Sequence, residues 1–109
     1  MNKVFLSGRI TSEISRFGTE TKGGAKFTLV TSQPVIKDGQ VVKGEDGYTE
    51  TWDQFHNITA FGGLGRSVAN HKQKGDKLIV TGAIRYSKNE KDGRTYYNTE
   101  IVADEISFI

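Results

Sequence analysis

Five stretches of the chain alternate apolar with polar residues, and this period of two constrains the fold more than any other feature. The stretches are residues 2–10, 25–35, 48–61, 77–88 and 96–109. Successive side chains of a β-strand point to opposite faces, so each stretch predicts a strand with one buried face. Asp-Gly pairs fall within the intervening segments 37–47 and 89–94, which predict a loop or hairpin tip and a turn.

A single helical segment interrupts this pattern between the third and fourth predicted strands. Leu64, Val68 and Ala69 have helical spacing, and Gly75 follows in the position of a helix stop. Three strands, one helix and two strands are the element order of the OB-fold. We therefore predict an all-β protein, a five-stranded OB-fold Greek-key barrel with one short helix between strands 3 and 4. A chain of 109 residues has room for one domain, residues 1–109.

Charge is unevenly distributed along the chain, although the net charge is only +2. Residues 1–35 carry a net charge of +3 and residues 66–94 carry +5, whereas residues 36–56 and 95–109 carry −3 each. Basic blocks of this kind are typical either of a solvated face or of a nucleic-acid-binding groove. Cysteine is absent, and no apolar run reaches the roughly 20 residues of a membrane helix. We expect a cytoplasmic protein.

Several segments of the sequence resemble the bacterial-type single-stranded DNA-binding proteins over the whole predicted barrel. They are NKVFLSGR at 2–9, FTLVTS at 27–32, FHNITAFG at 55–62, Lys74-Gly75, VTGAIR at 80–85 and TEIVA at 99–103. The resemblance implies single-stranded DNA as the partner, without sequence preference, in DNA replication, recombination and repair. It also implies a homo-oligomer, a tetramer or else a dimer, located at the nucleoid or in the cytoplasm of a phage-infected host.

Members of that family usually end in a disordered tail with an acidic tip that recruits replication and repair proteins. This sequence stops at Ser107-Phe108-Ile109, where the last strand should end, so we expect no C-terminal acidic tail. Three interpretations stay open: a truncated chain, a short phage or plasmid member, or a relative with another role. The tail-less primosomal protein PriB, which would act mainly through protein–protein contacts, is the alternative function.

The resemblance implies that bases stack on aromatic rings. Phe55 lies where the family places a stacking aromatic, usually Trp, and Phe61 lies where it places a stacking Phe. Asn57 shares their parity, whereas Ile58 and Ala60 have the opposite parity, as expected of core residues. We therefore expect Phe55, Asn57 and Phe61 to contact DNA from one face of the sheet.

Two further stacking positions of the family fall at or near Val35 and Asn89, which carry no ring. Rings that would compensate from adjacent segments, unless they pack within the barrel or its subunit contacts, are those of Tyr48, Trp52, Tyr86 and Tyr96. Among these, Tyr86 is predicted to bind DNA and Trp52 is an additional candidate. The predicted phosphate contacts are Lys3, Lys26, Arg85, Lys88, Lys91 and Arg94, with Arg9 as an additional candidate.

Subunit contacts are expected at three residues. His56 matches a histidine that lies at a subunit contact in the family, and Phe5 and Ile79 are apolar groups on strand faces opposite the buried parity. The chain has only two histidines, on different elements, and no cysteine, so we predict neither a metal site nor a cofactor.

Two enzyme-like features have simpler interpretations. The run Phe61–Gly65 is rich in glycine but lacks the Lys-Ser/Thr ending of a phosphate-binding loop, so we interpret it as a helix entry. Five acids between residues 38 and 53 are expected to be solvated loop residues rather than the metal ligands of a nuclease. We predict that the protein is not an enzyme.

Overall fold

The computed structural model describes residues 1–19 and 22–109, which form strands and one helix. The elements are β1 Val4–Ile10, β2 Ser15–Gly18, β3 Gly23–Pro34, β4 Ile36–Lys37, β5 Gln40–Val41, β6 Thr51–Phe61, α1 Gly62–His71, β7 Lys77–Lys91 and β8 Arg94–Phe108. The five predicted strands are β1, β3, β6, β7 and β8. The predicted helix is α1, between the third and fourth of them.

The five long strands close into a barrel. The order in the main sheet is β1-β7-β8-β6-β3-β2, and β1 also pairs with β3, which brings the two ends of the sheet together. All neighbours are antiparallel except β6 and β8, which run parallel and pair only at Ile58 with Ile101 and at Thr59 with Val102. This is the OB-fold, and the predicted fold class is confirmed.

The inner face of the barrel holds a single hydrophobic core. Its buried members are Ile10, Phe27, Leu29, Ile58, Ala60, Val68, Leu78, Val80, Ile101 and Ala103. Nine of them have the strand parity expected of a buried face, and Val68 comes from α1, which covers one end. Removing such apolar surface from water is the main favourable contribution to folding.

A β-bulge changes the face that β8 presents to the core. Thr81 pairs with Glu105 and Gly82 pairs with Ala103, so Asp104 is the extra residue on β8. Beyond the bulge, Ile106 packs against the core to which Ile101 and Ala103 contribute before the bulge. Strict alternation from Ile101 would place Ile106 on the outer face, but the bulge shifts the register by one residue and returns Ile106 to the core side.

Two arms extend beyond the barrel at the same end, because they continue the N-terminal halves of the parallel strands β6 and β8. In the β3–β6 arm residues 31–34 pair with residues 51–54, and in the β7–β8 arm residues 85–91 pair with residues 94–100. The predicted turn over 89–94 is narrower than expected. Only Asp92 and Gly93, both at positive φ, form it.

The arms enlarge the molecule. Its radius of gyration is 16.4 Å, against about 13 Å for a compact domain of this length. Three short strands add to the five predicted ones. The strand β2 lies beside β3 and was not predicted, whereas β4 and β5 form a hairpin that overlaps the segment predicted as a loop or hairpin tip.

The helix begins at Gly62, directly after β6, as the helix-entry interpretation predicts. Gly62 itself has a φ of +63°, a conformation that favours glycine. Within the described ranges, no helix is long and apolar enough to cross a membrane.

Gly65 allows the helix to approach the sheet closely. A Cβ placed on Gly65 would clash with the carbonyl oxygen of Ala60 and lie 2.6 Å from the amide nitrogen of Ala25. Both are backbone atoms of the barrel, so the helix would have to move. A Cβ at Gly63, on the same helix, would meet only the end of the Arg66 side chain at 3.5 Å.

We predict that Gly65→Ala lowers the free energy of unfolding by about 1–3 kcal/mol, despite the higher helix propensity of alanine. Gly63→Ala is the matched control and should leave stability unchanged or raise it by up to about 1 kcal/mol. Urea unfolding followed by circular dichroism measures both. Equal effects of the two substitutions would show that close packing at Gly65 is unimportant.

Candidate nucleic-acid interface

Outward-facing side chains of β3, β6, β8 and β7 lie in register across one face of the barrel. Lys26 pairs with Thr59, Thr59 pairs with Val102, and Val102 pairs with Ala83. The same face also carries residues two or four positions away from these along their strands, namely Phe55, Asn57, Phe61, Arg85 and Glu100. The structure thus brings Phe55, Asn57 and Phe61 onto one exposed face with Lys26 and Arg85, whereas Ile58 and Ala60 are buried beneath.

An aromatic pair occupies one end of this face. The rings of Phe61 and Phe17 meet edge to face with centroids 5.7 Å apart. Gly24 lies between them in the register, paired with Phe17 on one side and Phe61 on the other. Because Gly24 has no side chain, the two rings can meet over it. Such pairs contribute about 0.5–1.5 kcal/mol beyond the area they bury.

Two cations flank the aromatic pair. The Lys26 ammonium lies 5.3 Å from the centroid of the Phe17 ring, and the Arg85 guanidinium lies 5.7 Å from the centroid of the Phe61 ring. Both distances are within the range of cation–π attraction. Phe17 was missed by the sequence analysis because β2, four residues long, is too short to show an alternating pattern. The Gly23-Gly24 pair, just before the predicted strand over residues 25–35, was the available signal.

Glu100 lies at the centre of the face. Its side chain is 8% exposed, and one of its carboxylate oxygens accepts hydrogen bonds from Nε of Arg85, at 2.7 Å, and from Nη2 of the same residue. The other oxygen accepts a hydrogen bond from the Thr59 hydroxyl. That hydrogen bond, together with Arg85 and the more distant Lys26, lowers the pKa of Glu100 from its usual range despite burial.

Two open cavities share Glu100 in their lining. One, of about 310 Å³, lies against Ser12, Glu13, Ser15, Lys26 and Thr59. The other, of about 400 Å³, lies between the two arms and is lined by Phe55, His56, Ile84, Thr99 and Ile101. Asn57, Asn98 and Glu100 line both cavities, which are therefore adjacent, and the two together are called the groove below.

The remaining basic candidates are exposed on the β7–β8 arm, on both of its faces. Arg85 pairs with Glu100 and Lys91 pairs with Arg94, whereas Lys88 pairs with Tyr97 and has the opposite parity. Tyr86 shares the face of Lys88. The set predicted from sequence is therefore divided between two surfaces of one arm. Trp52 is exposed on the other arm, where it pairs with Gln33.

Lys3 and Arg9 already have partners. The Lys3 ammonium forms an ion pair with Asp104 at 3.3 Å. Nη1 of Arg9 donates a hydrogen bond to the carbonyl oxygen of Gly75 at 2.8 Å, and Arg9 lies in register with Val30 and Lys77, on strands β3 and β7. Lys3 precedes β1 beside the end of β7 that carries Arg85, whereas Arg9 lies at the far end of β1.

The three predicted subunit-contact residues lie on two surfaces. Phe5 and Ile79 are exposed diagonal neighbours on the outer wall formed by β1 and β7. His56 lines the cleft between the arms, where Nε2 and the Thr31 hydroxyl form a hydrogen bond of 2.9 Å. Partial burial lowers the pKa of His56, so the neutral ring is favoured at pH 7. In the part of the chain that the structure describes, no cluster of His, Asp or Glu has the arrangement of a metal site.

The barrel and its face define an OB-fold domain with an aromatic, partly cationic groove. The sequence matches the family model of the single-strand binding protein family over residues 1–109. The chain belongs to that family.

Two relatives agree with this assignment. The single-stranded DNA-binding protein of Xylella fastidiosa is 33% identical over 110 residues, which cover 100% of this chain and 63% of the relative. Single-stranded DNA-binding protein 3 of Clostridium acetobutylicum is 36% identical over 112 residues, which cover 100% of this chain and 71% of the relative. The chain therefore spans less than two thirds of the Xylella protein.

Two solved structures share the fold at low sequence identity. The Plasmodium falciparum SSB in complex with ssDNA superposes with a TM-score of 0.79 at 19% identity, covering 100% of this chain and 95% of that one. The small single-stranded DNA-binding protein of Streptomyces coelicolor gives a TM-score of 0.75 at 13% identity, covering 98% of this chain and 93% of that one.

The lowered pKa of Glu100 predicts a specific dependence of stability on pH. A carboxylate whose pKa is lower in the folded than in the unfolded state contributes stability above its unfolded pKa, and this contribution is lost as pH falls through the folded pKa. We predict that Glu100→Gln lowers the free energy of unfolding at pH 7 and that the difference from the wild type narrows at pH 3. Urea unfolding at both pH values measures this, and a difference that stays constant would contradict it.

Proposed function

We propose that this chain binds single-stranded DNA without sequence preference and protects it during DNA replication, recombination and repair. The observation that carries the proposal is the Phe17–Phe61 pair flanked by Lys26 and Arg85, on a groove that leads to Phe55. Membership of the single-strand binding protein family and the names of its relatives support the same conclusion.

The proposed mechanism combines ring stacking with phosphate attraction. Every base has a π-face, so exposed rings such as Phe55 and Phe61 bind bases of any sequence, at about 1–3 kcal/mol per base. Lys26 beside the rings, and Lys91 and Arg94 on the arm, attract the phosphates between stacked bases. Asn57, on the floor of the groove, offers amide hydrogen bonds to base edges or to the backbone.

No bond is made or broken in this proposal. Stacking, hydrogen bonding and phosphate attraction are equilibrium interactions, and none of them requires a nucleophile, a cofactor or a metal ion. The protein would act as a binding module that holds single strands apart and shields them. Recruitment of replication or repair proteins would be a further role of the family that this groove does not supply.

We further propose that the chain assembles as a homotetramer. Phe5, 71% exposed, and Ile79 form an apolar patch on the β1–β7 wall, away from the groove. An interface that covers this patch removes apolar surface from water and leaves the groove open.

We predict that Phe55→Ala and Phe61→Ala each weaken binding to oligo-dT by about 1–3 kcal/mol, or roughly 5- to 150-fold in Kd. Fluorescence titration measures the affinity. Phe108→Ala is the matched control, since Phe108 is also an exposed phenylalanine but lies at the far end of β8, beside His71 and Lys72. A parallel titration with oligo-U tests preference for DNA over RNA. Unchanged affinity in both groove variants would exclude stacking at this site.

The oligomeric state is tested by light scattering. We expect the mass of four chains for the wild type and a smaller assembly when Phe5 and Ile79 are both replaced by Ser, because the apolar patch is lost. A Phe108→Ser variant controls for loss of an exposed ring elsewhere. A wild type with the mass of one chain would rule out the proposed assembly.

A further inference from the structure

Glu100 is an unusual residue to find in a groove that attracts phosphates. Among the described residues it is the only charged side chain that is buried. Its carboxylate lies on the outer face of the barrel, and it lines both cavities of the groove. A negative charge there repels a nucleic-acid backbone that follows the groove.

The Glu100 carboxylate also forms an ion pair with Arg85, the cation beside it. Nε and Nη2 of Arg85 both donate to one Glu100 oxygen, while the Thr59 hydroxyl holds the other. The Arg85 side chain remains 51% exposed, so its charge is paired but one surface of it is still accessible beside the Phe61 ring. A guanidinium held in this way offers a planar stacking surface, and the Arg85–Glu100 ion pair as a whole carries little net charge.

We propose that Glu100 limits the affinity of the groove for single strands by holding Arg85 as its counter-ion, so that Arg85 contacts the Phe61 ring and a base rather than a phosphate. This inference rests on the proposed function and refines the role of one of its residues. It makes Glu100 a determinant of affinity and of salt dependence.

A purely structural role for Glu100 leads to a different expectation. In that case the carboxylate would only join β6 to β8 through Thr59, and its removal would lower stability without increasing phosphate contacts. The salt dependence of binding separates the two roles, because each phosphate neutralised by a cation adds about 0.7 to the slope of log affinity against log salt for single strands.

The experiment measures oligo-dT affinity between 50 and 200 mM salt. For Glu100→Gln we expect tighter binding at 50 mM and a slope steeper by about 0.7, so that affinity falls about threefold more than in the wild type over this range. Glu105→Gln is the matched control. Glu105 is an exposed acid on the same strand, opposite Thr81, and its replacement makes the same change in net charge without touching Arg85.

The Glu100→Gln/Arg85→Gln double variant tests whether Arg85 supplies the added slope. The inference predicts the wild-type slope for this variant, because the ion pair is removed as a unit and the wild-type guanidinium neutralises no phosphate. In the Glu100→Gln background, Arg85→Gln should therefore remove the added slope of about 0.7. A double variant whose slope stays as steep as that of Glu100→Gln would overturn the inference.

Other outcomes are equally decisive. Folded Glu100→Gln protein with the wild-type slope would overturn the role of Glu100, as would a gain matched by Glu105→Gln. A wild type that does not bind oligo-dT at all would instead overturn the proposed function, so the two failures can be told apart.

Discussion

The parallel pairing of β6 with β8 spans only two residue pairs, and both the closed core and the open groove depend on it. Ile58 with Ile101 and Thr59 with Val102 complete the barrel, which buries the two isoleucines. Toward their N-terminal ends the strands separate, and each pairs with its other neighbour, β3 or β7. Each strand therefore keeps one hydrogen-bonded neighbour along its arm while a cleft opens between the two arms. A longer parallel ladder would close this cleft.

Glu100 and Thr59 lie diagonally across this short ladder. Thr59 is the last residue of β6 that pairs with β8, and Glu100 immediately precedes the first paired residue of β8. Their hydrogen bond therefore crosses the ladder and joins the two strands by side chains. Because the carboxylate also holds Arg85, the contact that fixes the floor of the groove also sets its charge. Barrel closure and the electrostatics of the candidate site are thus coupled through one residue.

The sequence allowed the barrel to be predicted but not the contacts within its face. Alternation identified five strands and placed Ile58 and Ala60 inside, because a half-buried strand imposes a period of two on its own residues. Phe17 escaped detection, since the four residues of β2 are too few for a period. The pairing of Arg85 with Glu100 depends on the register between two strands, which a local pattern does not contain.

The β7–β8 arm presents its candidate contacts on two opposite faces. Arg85, Lys91 and Arg94 share the face that continues into the groove, whereas Tyr86 and Lys88 occupy the other, since successive strand residues point to opposite sides. Two-stranded ribbons twist strongly, so both faces turn about the arm axis along its length. A single extended strand of DNA contacts the residues of both faces only by crossing the edge of the arm. We therefore expect a bound DNA strand to leave the groove over that edge and to bend around the arm.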